Sequence, residues 1–384
     1  MTRLEVKKST EFALEHHCIS TLLESDESGF FKYFSKSTIS FDLAIISKGR
    51  KHYKNEKVEL PDLHICKIKN AVITGKCGVL QDDTLVKDSL PPWMTNENIF
   101  KHRELLRKSY HLEIPGEQDE ILVHHDVELD EIAETVVVFS SATDNAFSHY
   151  LFETFAKLHI MANVELNNYK WVVPSTIRGY QLALLTDAGI SPENIIKKPH
   201  NVYLKVAHAI VIESPAHNNL WATPASLFFM RSFFTGLINH NPLAKRTASR
   251  IYLDRADERA AMRKIVNEQE IVEITHSHQF VNYTPGALSF SGKIEAISGA
   301  DHIIGQYGGG LQLCFAARQR SKIIVIQSPH FFRAFINFMS VFFGYEVINV
   351  MGRSTETSEA KHNNSELFID PEDFAQSLSH VLPL

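Results

Sequence analysis

The chain has 384 residues, 44% of them hydrophobic and 22% charged, with 39 lysines and arginines against 45 aspartates and glutamates and a formal net charge of -6. This length predicts two packed domains and a substantial core. The balance excludes disordered, collagen-like and coiled-coil chains, and the negative total excludes a global basic field for nucleic acid.

The opening segment, MTRLEVKKSTEFALEHH, lacks an apolar signal region, and the late apolar stretch 335–351 is broken by Asn337, Ser340, Gly344 and Glu346. No transmembrane span is expected, and the expected location is cytoplasmic, at most peripheral at the inner face of the membrane. Cys18, Cys66, Cys77 and Cys314 show no CxxC spacing, so neither a disulfide scaffold nor a zinc ribbon is expected. From about residue 41 to 90, FDLAIIS, LHICKIKNAVITGK and GVLQDDTLV read as short strands, a small β-rich elaboration of the N-terminal domain. ILVHHDVELDE and ETVVVFSS are strand candidates on either side of an acidic turn. From about 120 to 240 strands alternate with helix-length segments: TVVVFSS, FSHYLFETFAKLHIM, KWVVP, GYQLALLTDAGI and AHAIVIES. Such alternation predicts βαβ units and a parallel sheet.

Asn239-His240-Asn241-Pro242 and the basic KRTASR mark a linker, so the boundary is expected near 240 and the domains are 1–240 and 241–384. The alternation then restarts with RIYLDR, a helix through NEQEIV, HQFVNY, SFSGKIEAISGA, DHIIGQYG, LQLCFAARQ and KIIVIQS. The expected fold class is therefore α/β, two Rossmann-like domains facing a cleft, with the ligand outside the carboxyl ends of the strands.

Three constellations carry chemistry. Gly305-Gln306-Tyr307-Gly308-Gly309-Gly310 lies between an apolar strand and a helix; it reads either as an anion cradle of backbone amides or as a plain tight turn. It matches neither GxGxxG nor GxxxxGK[ST] spacing, which disfavours dehydrogenases and P-loop enzymes. In the basic run 245–264, Arg255 stands at a strand end where a guanidinium fork suits phosphate, whereas Arg259 and Arg263 read equally well as a solvated helix face. His149 and Glu153, four apart on one helix face, form either a carboxylate-oriented base or an ordinary packing pair. His124, His125, Asp126, Glu128 and Asp130 do not make a metal site, because neighbouring strand residues point to opposite faces. Gln81-Asp82-Asp83 reads as a hairpin, and Asp370-Pro371 as a helix cap followed by a helix-opening proline. No metal and no bound cofactor are expected.

FSHYLFETFAKL resembles the Y/F-x-H-W-L/V-x-E-x-L-P-R-L signature of glycosyltransferase family 61, SRIYLDRADERAAMRKIVNEQEI resembles its Y-I-S-R…N-E-x-E segment, and the region from LSFSGKIEAISGADHIIGQYGGGL to KIIVIQSP resembles its L-S-F…I-I-G-x-H-G-A-G-L…V-I-E-L segment. The likeness runs in order over roughly residues 60 to 350. It implies a GT-B enzyme that transfers a hexose or pentose from a nucleoside-diphosphate sugar, inverting and without metal, to a polysaccharide, capsule or lipopolysaccharide precursor. It implies His149 and Glu153 as catalytic, and Arg255, Arg259, Asn267, Glu268, Lys293, Tyr307, Gly308, Gly309 and Gly310 as donor-binding. Tyr307, Lys293 and Gln327 stand where the family has His, Gln and Glu; Tyr307 offers a ring to stack on a base or sugar, and Lys293 a charge near a diphosphate. His330 and Arg333 follow the last strand without a motif. These departures keep a catalytically silent sugar-nucleotide or glycan-binding homologue as the alternative, ahead of an NAD(P)-dependent oxidoreductase.

Overall fold

The computed structural model of the chain describes residues 22–81, 84–86, 104, 106–113, 122–123, 127–162, 164–217, 221–239, 248–256, 264–354 and 366–382. Its main strands are β1 (Gly29–Phe34), β2 (Ser37–Ser47), β3 (Arg50–Leu60), β4 (Leu63–Thr74), β5 (Gly78–Gln81), β6 (Thr84–Leu85), β7 (Glu128–Val138), β8 (Lys170–Pro174), β9 (Ile195–Lys198), β10 (Val202–Ile212), β11 (Arg250–Leu253), β12 (Val281–Tyr283), β13 (His302–Gln306), β14 (Lys322–Gln327) and β15 (Glu346–Met351). Its main helices are α1 (residues 147–159), α2 (Gly179–Asp187), α3 (Pro224–Asn239), α4 (Glu268–Ser277), α5 (Phe290–Gly299), α6 (Gly309–Gln312), α7 (Phe335–Phe343) and α8 (Pro371–Val381). The α/β class expected from the alternating pattern is what the strands and helices form.

The chain divides into two compact units, Met1–Ser37 with Leu60–Ser226, and Thr38–Glu59 with Leu227–Leu384. The division falls at 226/227 rather than near 240. It also moves β2 and β3, expected in an N-terminal elaboration, into the second unit. The physical reason is pairing: Ala44, Ile45 and Ile46 of β2 lie in parallel register with Ile348, Asn349 and Val350 of β15, and Leu43 and Ile46 are fully buried.

The first unit is built on one mixed sheet in the order β9-β8-β7-β10-β4-β5-β6, with β1 also on β4. β9, β8, β7 and β10 run parallel, and β4 is antiparallel to β10, β5 and β1. Chain order runs outward from β7 to β9 and then restarts on its other side at β10. The β7 carboxyl end is thus a point where strand order reverses, the place where open sheets leave a crevice. One face holds Cys66, Ile68, Val136, Val138, Val172, Ala209 and Val211 against Tyr110 and Leu112. The acidic turn expected between ILVHHDVELDE and ETVVVFSS is instead part of one strand, β7, which runs unbroken from Glu128 to Val138; Glu128, Leu129, Asp130 and Glu131 pair with Val202, Tyr203, Leu204 and Lys205, and all four are exposed. Backbone pairing satisfies that segment while its carboxylates stay in water, and Glu131 reaches Lys205.

The second unit has the order β12-β11-β13-β14-β15-β2-β3, parallel from β12 through β2. Tyr252, Ile304, Ile324, Ile326, Ile348 and Val350 pack on one face against Ile271 of α4 and Phe374, Leu378 and Val381 of α8. On the other face Asn349 hydrogen-bonds Asn337 of α7. Burial of both faces accounts for the near-continuous apolar run KIIVIQ. Strand order reverses between β11 and β13, so Arg255 and Gly308 leave adjacent strands at the carboxyl edge of the sheet, beside that crevice. At the start of α8, Asp370 accepts a hydrogen bond from the Glu372 amide ahead of Pro371, as the cap-and-proline pattern predicts.

Candidate active site

In the first unit the strand β7 ends at Val138, and the turn Phe139–Ala146 carries Ser140, Ser141, Thr143 and Asp144 into α1. α1 is not the regular helix its spacing predicts. It passes from α (Phe147–His149) through a π segment (Tyr150–Thr154) into a 3-10 segment (Phe155–His159). The π turn is tolerated because Leu151, Phe152, Phe155 and Ala156 are fully buried and hold the distorted backbone against the sheet. His149 and Glu153 straddle the α-to-π junction and remain neighbours, with Nδ1 of His149 2.6 Å from Oε1 of Glu153.

Glu153 is buried, whereas the His149 side chain is 40% exposed. The other carboxylate oxygen, Oε2, accepts hydrogen bonds from the hydroxyls of Thr143 and Ser141, the latter at 3.3 Å. An acceptor-only carboxylate held by two hydroxyls orients the imidazole, placing the shared proton on Nδ1 and basicity on Nε2. The hydrogen bond to Glu153 raises the His149 pKa above its ordinary value, with burial opposing.

Behind this pair, Asp144 accepts from the Ser140 hydroxyl at 2.5 Å and lies 3.8 Å from the Lys76 ammonium, and burial raises its pKa. Lys157, lowered by burial, donates to the Ser140 carbonyl at 3.0 Å. These groups tie the turn to the helix. Spacing along α1 reveals His149 and Glu153 but not Ser141 and Thr143. Their signal is the cluster of hydroxyl residues immediately after an apolar strand, where a sheet presents its carboxyl edge.

In the second unit β11 and β13 lie side by side, Leu253 opposite Gly305. That close approach leaves little room for a side chain: a Cβ at Gly305 would lie 3.2 Å from the Leu253 Cβ and 3.3 Å from the Leu311 Cδ1, so its neighbours would have to give way by a few tenths of an ångström. Beyond the strands, a Cβ on Gly308 would meet Nη1 of Arg255 at 3.0 Å, so the guanidinium lies directly over this loop. A Cβ at Gly310 would meet the Pro285 ring at 3.1 Å. Gly309 and Gly310 open the short α6. The structure therefore brings Arg255, Gly308, Gly309 and Gly310 together. Lys293, in the first turn of α5, lines a small cavity with Gly310, Leu253 and Pro285.

The remaining residues hold this loop. Glu268 accepts from the Tyr252 hydroxyl at 3.2 Å and from the Arg255 amide at 3.4 Å, and burial raises its pKa. It positions Arg255. Asn267 turns the other way: its amide donates to the Ile369 carbonyl at 2.8 Å and its oxygen accepts from the Ile369 amide at 3.0 Å.

Tyr307 is 5% exposed and its hydroxyl accepts from Gln312 at 2.8 Å, so its ring is packed inside, beside Phe331, and is not presented as a stacking surface. Gln327 is fully buried and donates to the Arg333 carbonyl and to Asn349, which fixes the loop after β14. That loop places the Arg333 guanidinium 4.3 Å from the Phe331 ring centre, a cation–π pair for which the sequence holds no motif. His330 is exposed on the same loop.

Arg259, Arg263, His124, His125 and Asp126 lie outside the described residues. Among the described residues no group of three or more His, Cys, Asp or Glu side chains is placed to hold a metal ion. Nor is any helix among them long and apolar enough to cross a membrane.

In the second unit, a guanidinium over a glycine loop suits the charge of an anionic leaving group, and in the first, a carboxylate-oriented imidazole suits the acceptance of a proton. Residues 147–324, from α1 into β14, match the family model described as Glycosyltransferase 61. Transfer of a sugar is the class of activity that this family implies. No curated protein matches the chain.

Proposed function

We propose that this chain is an inverting, metal-independent glycosyltransferase of the GT-B type that moves a hexose or pentose from a nucleoside-diphosphate sugar to a hydroxyl of a polysaccharide, capsule or lipopolysaccharide precursor on the cytoplasmic side of a membrane. The observation that carries the reading is the Arg255 guanidinium lying over Gly308 where the strand order of the second unit reverses. Inverting transfer develops charge on the departing diphosphate. Arg255 and the amides of the Gly308–Gly310 loop neutralise that charge, and Lys293 adds to the field from the α5 side. Oriented by Glu153, His149 takes the acceptor hydroxyl proton on Nε2 as the bond to the anomeric carbon forms.

The test is release of nucleoside diphosphate from UDP-, GDP- and dTDP-linked sugars, together with a thermal-shift screen of the same donors and a CMP-linked sugar. A true donor stabilises the folded state by mass action and is turned over. Stabilisation without turnover under any acceptor mixture identifies a sugar-nucleotide-binding protein instead.

A further inference from the structure

The first unit carries a second imidazole–carboxylate pair that the reaction proposed above does not use. The backbone N–H of His64 donates to Oε2 of Glu213 at 2.7 Å, and Nδ1 of the same residue lies 3.0 Å from that oxygen. Glu213 directly follows β10, and His64 opens β4, so both stand at the sheet edge where β7 delivers Ser140 and Ser141. From β7 to β4 is two strand spacings, roughly 10 Å. Phe30 of β1, 74% exposed, stands edge-on to the His64 ring with centroids 6.1 Å apart. A groove of about 470 Å³ lies here, lined by Ser28, Gly29, Phe30, His64, Cys66 and Ile68.

We infer that this groove is a glycan subsite that takes one pyranose ring of an oligosaccharide. The inference rests on the transferase reading for the ligand's role as acceptor, but not for its binding. A pyranose ring presents an apolar C–H face and an edge of hydroxyls. A site for it needs an exposed aromatic surface beside a fixed polar pair, the mixture that distinguishes an oriented ligand pocket from a merely apolar patch. Phe30 supplies the surface and His64 with Glu213 the pair. An acyl chain would gain nothing from a polar pair tied to the backbone, and covering that pair with hydrocarbon would cost affinity.

The experiment is saturation-transfer NMR on the full-length protein, with cellotetraose, xylotetraose, maltotetraose and chitotetraose as probes. At least one is expected to bind with a dissociation constant in the region of ~1 mM, and Phe30→Ala is expected to weaken it about tenfold or more. Glu213→Gln is expected to weaken it as well; because Glu213 also takes a backbone N–H, the exposed Phe30 remains the decisive variant. The inference is overturned if no probe binds at about 10 mM, if Phe30→Ala binds as wild type does, or if the Phe30 change alters the oligomeric mass, which would make the groove a contact between copies. Hydrolysis of donor sugars without acceptor is read in parallel. Hydrolysis with no oligosaccharide binding removes the subsite alone, whereas oligosaccharide binding with neither donor hydrolysis nor transfer to any acceptor mixture keeps the subsite and removes the transferase reading.

Discussion

Arg255 and Gly308 come from strands that sit side by side, and nothing larger than hydrogen fits on Gly308 without moving the guanidinium, since a Cβ there would lie 3.0 Å from Nη1. The backbone at Gly308 is extended (φ 170°), which any residue adopts, so the constraint is the arginine and not the chain. Arg255→Ala is expected to weaken nucleotide-sugar affinity by roughly 1.5 to 3 kcal/mol, the range for a hydrogen bond to a charged group. Gly308→Ala should also weaken donor binding while leaving the melting temperature nearly unchanged, because the displaced atom ends a flexible side chain. Calorimetric titration of both variants decides; unchanged affinity in folded Arg255→Ala sinks the donor assignment.

Glu268 reaches the reaction only through Arg255 and Tyr252. Tyr252 is fully buried, so Glu268→Ala leaves its hydroxyl without that acceptor, at a cost of about 1–3 kcal/mol. The double variant Tyr252→Phe/Glu268→Ala should recover much of that stability but not donor affinity, because the Arg255 amide still lacks its carboxylate. Denaturant melts and donor titrations on the cycle separate the two effects; recovery of both would show that Glu268 serves the fold alone.

His149 must be neutral to act as a base. Its hydrogen bond to Glu153 raises its pKa, so the acidic limb of kcat/KM is expected above pH 6.5, with activity lost as pH falls through it. The same shift adds stability that is fully present below the unfolded-state pKa and fades as pH rises through the folded one. Glu153→Gln should move the acidic limb down. His149→Ala should reduce turnover by 10²- to 10⁴-fold at saturating donor. If folded His149→Ala keeps more than about a tenth of wild-type turnover, the proton goes elsewhere, and the buried Asp144 is the next residue to change.

Turnover is expected to survive chelation. The proposed charge stabilisation comes from Arg255, Lys293 and backbone amides, so EDTA should leave the rate within about twofold. Activity abolished by EDTA and restored by manganese or magnesium would point to a carboxylate site that this assignment omits.

The sequence by itself determined a good deal: the α/β class, most strands and helices of both halves, the glycine turn, Arg255 at a strand end and the His149–Glu153 spacing. Those features are local, written in apolar runs, in glycines between a strand and a helix, and in side chains four residues apart. Whatever depends on pairing over long separations was decided by tertiary structure. β2 reads as a strand from its own residues, but only its register with Ile348–Val350, about 300 positions away, assigns it to the second unit. The segment around 131–134 reads as an acidic turn between two strands, yet pairing with β10 carries β7 through it as one strand. Tyr307 looks available to a ligand until its hydroxyl is found on Gln312 and its ring inside. Glu268 looks like a ligand residue until Tyr252 and the Arg255 amide are found on it. In each case the backbone or a buried polar group must satisfy its hydrogen bonds somewhere, and the partner it uses is fixed by the folded chain, not by its neighbours in sequence.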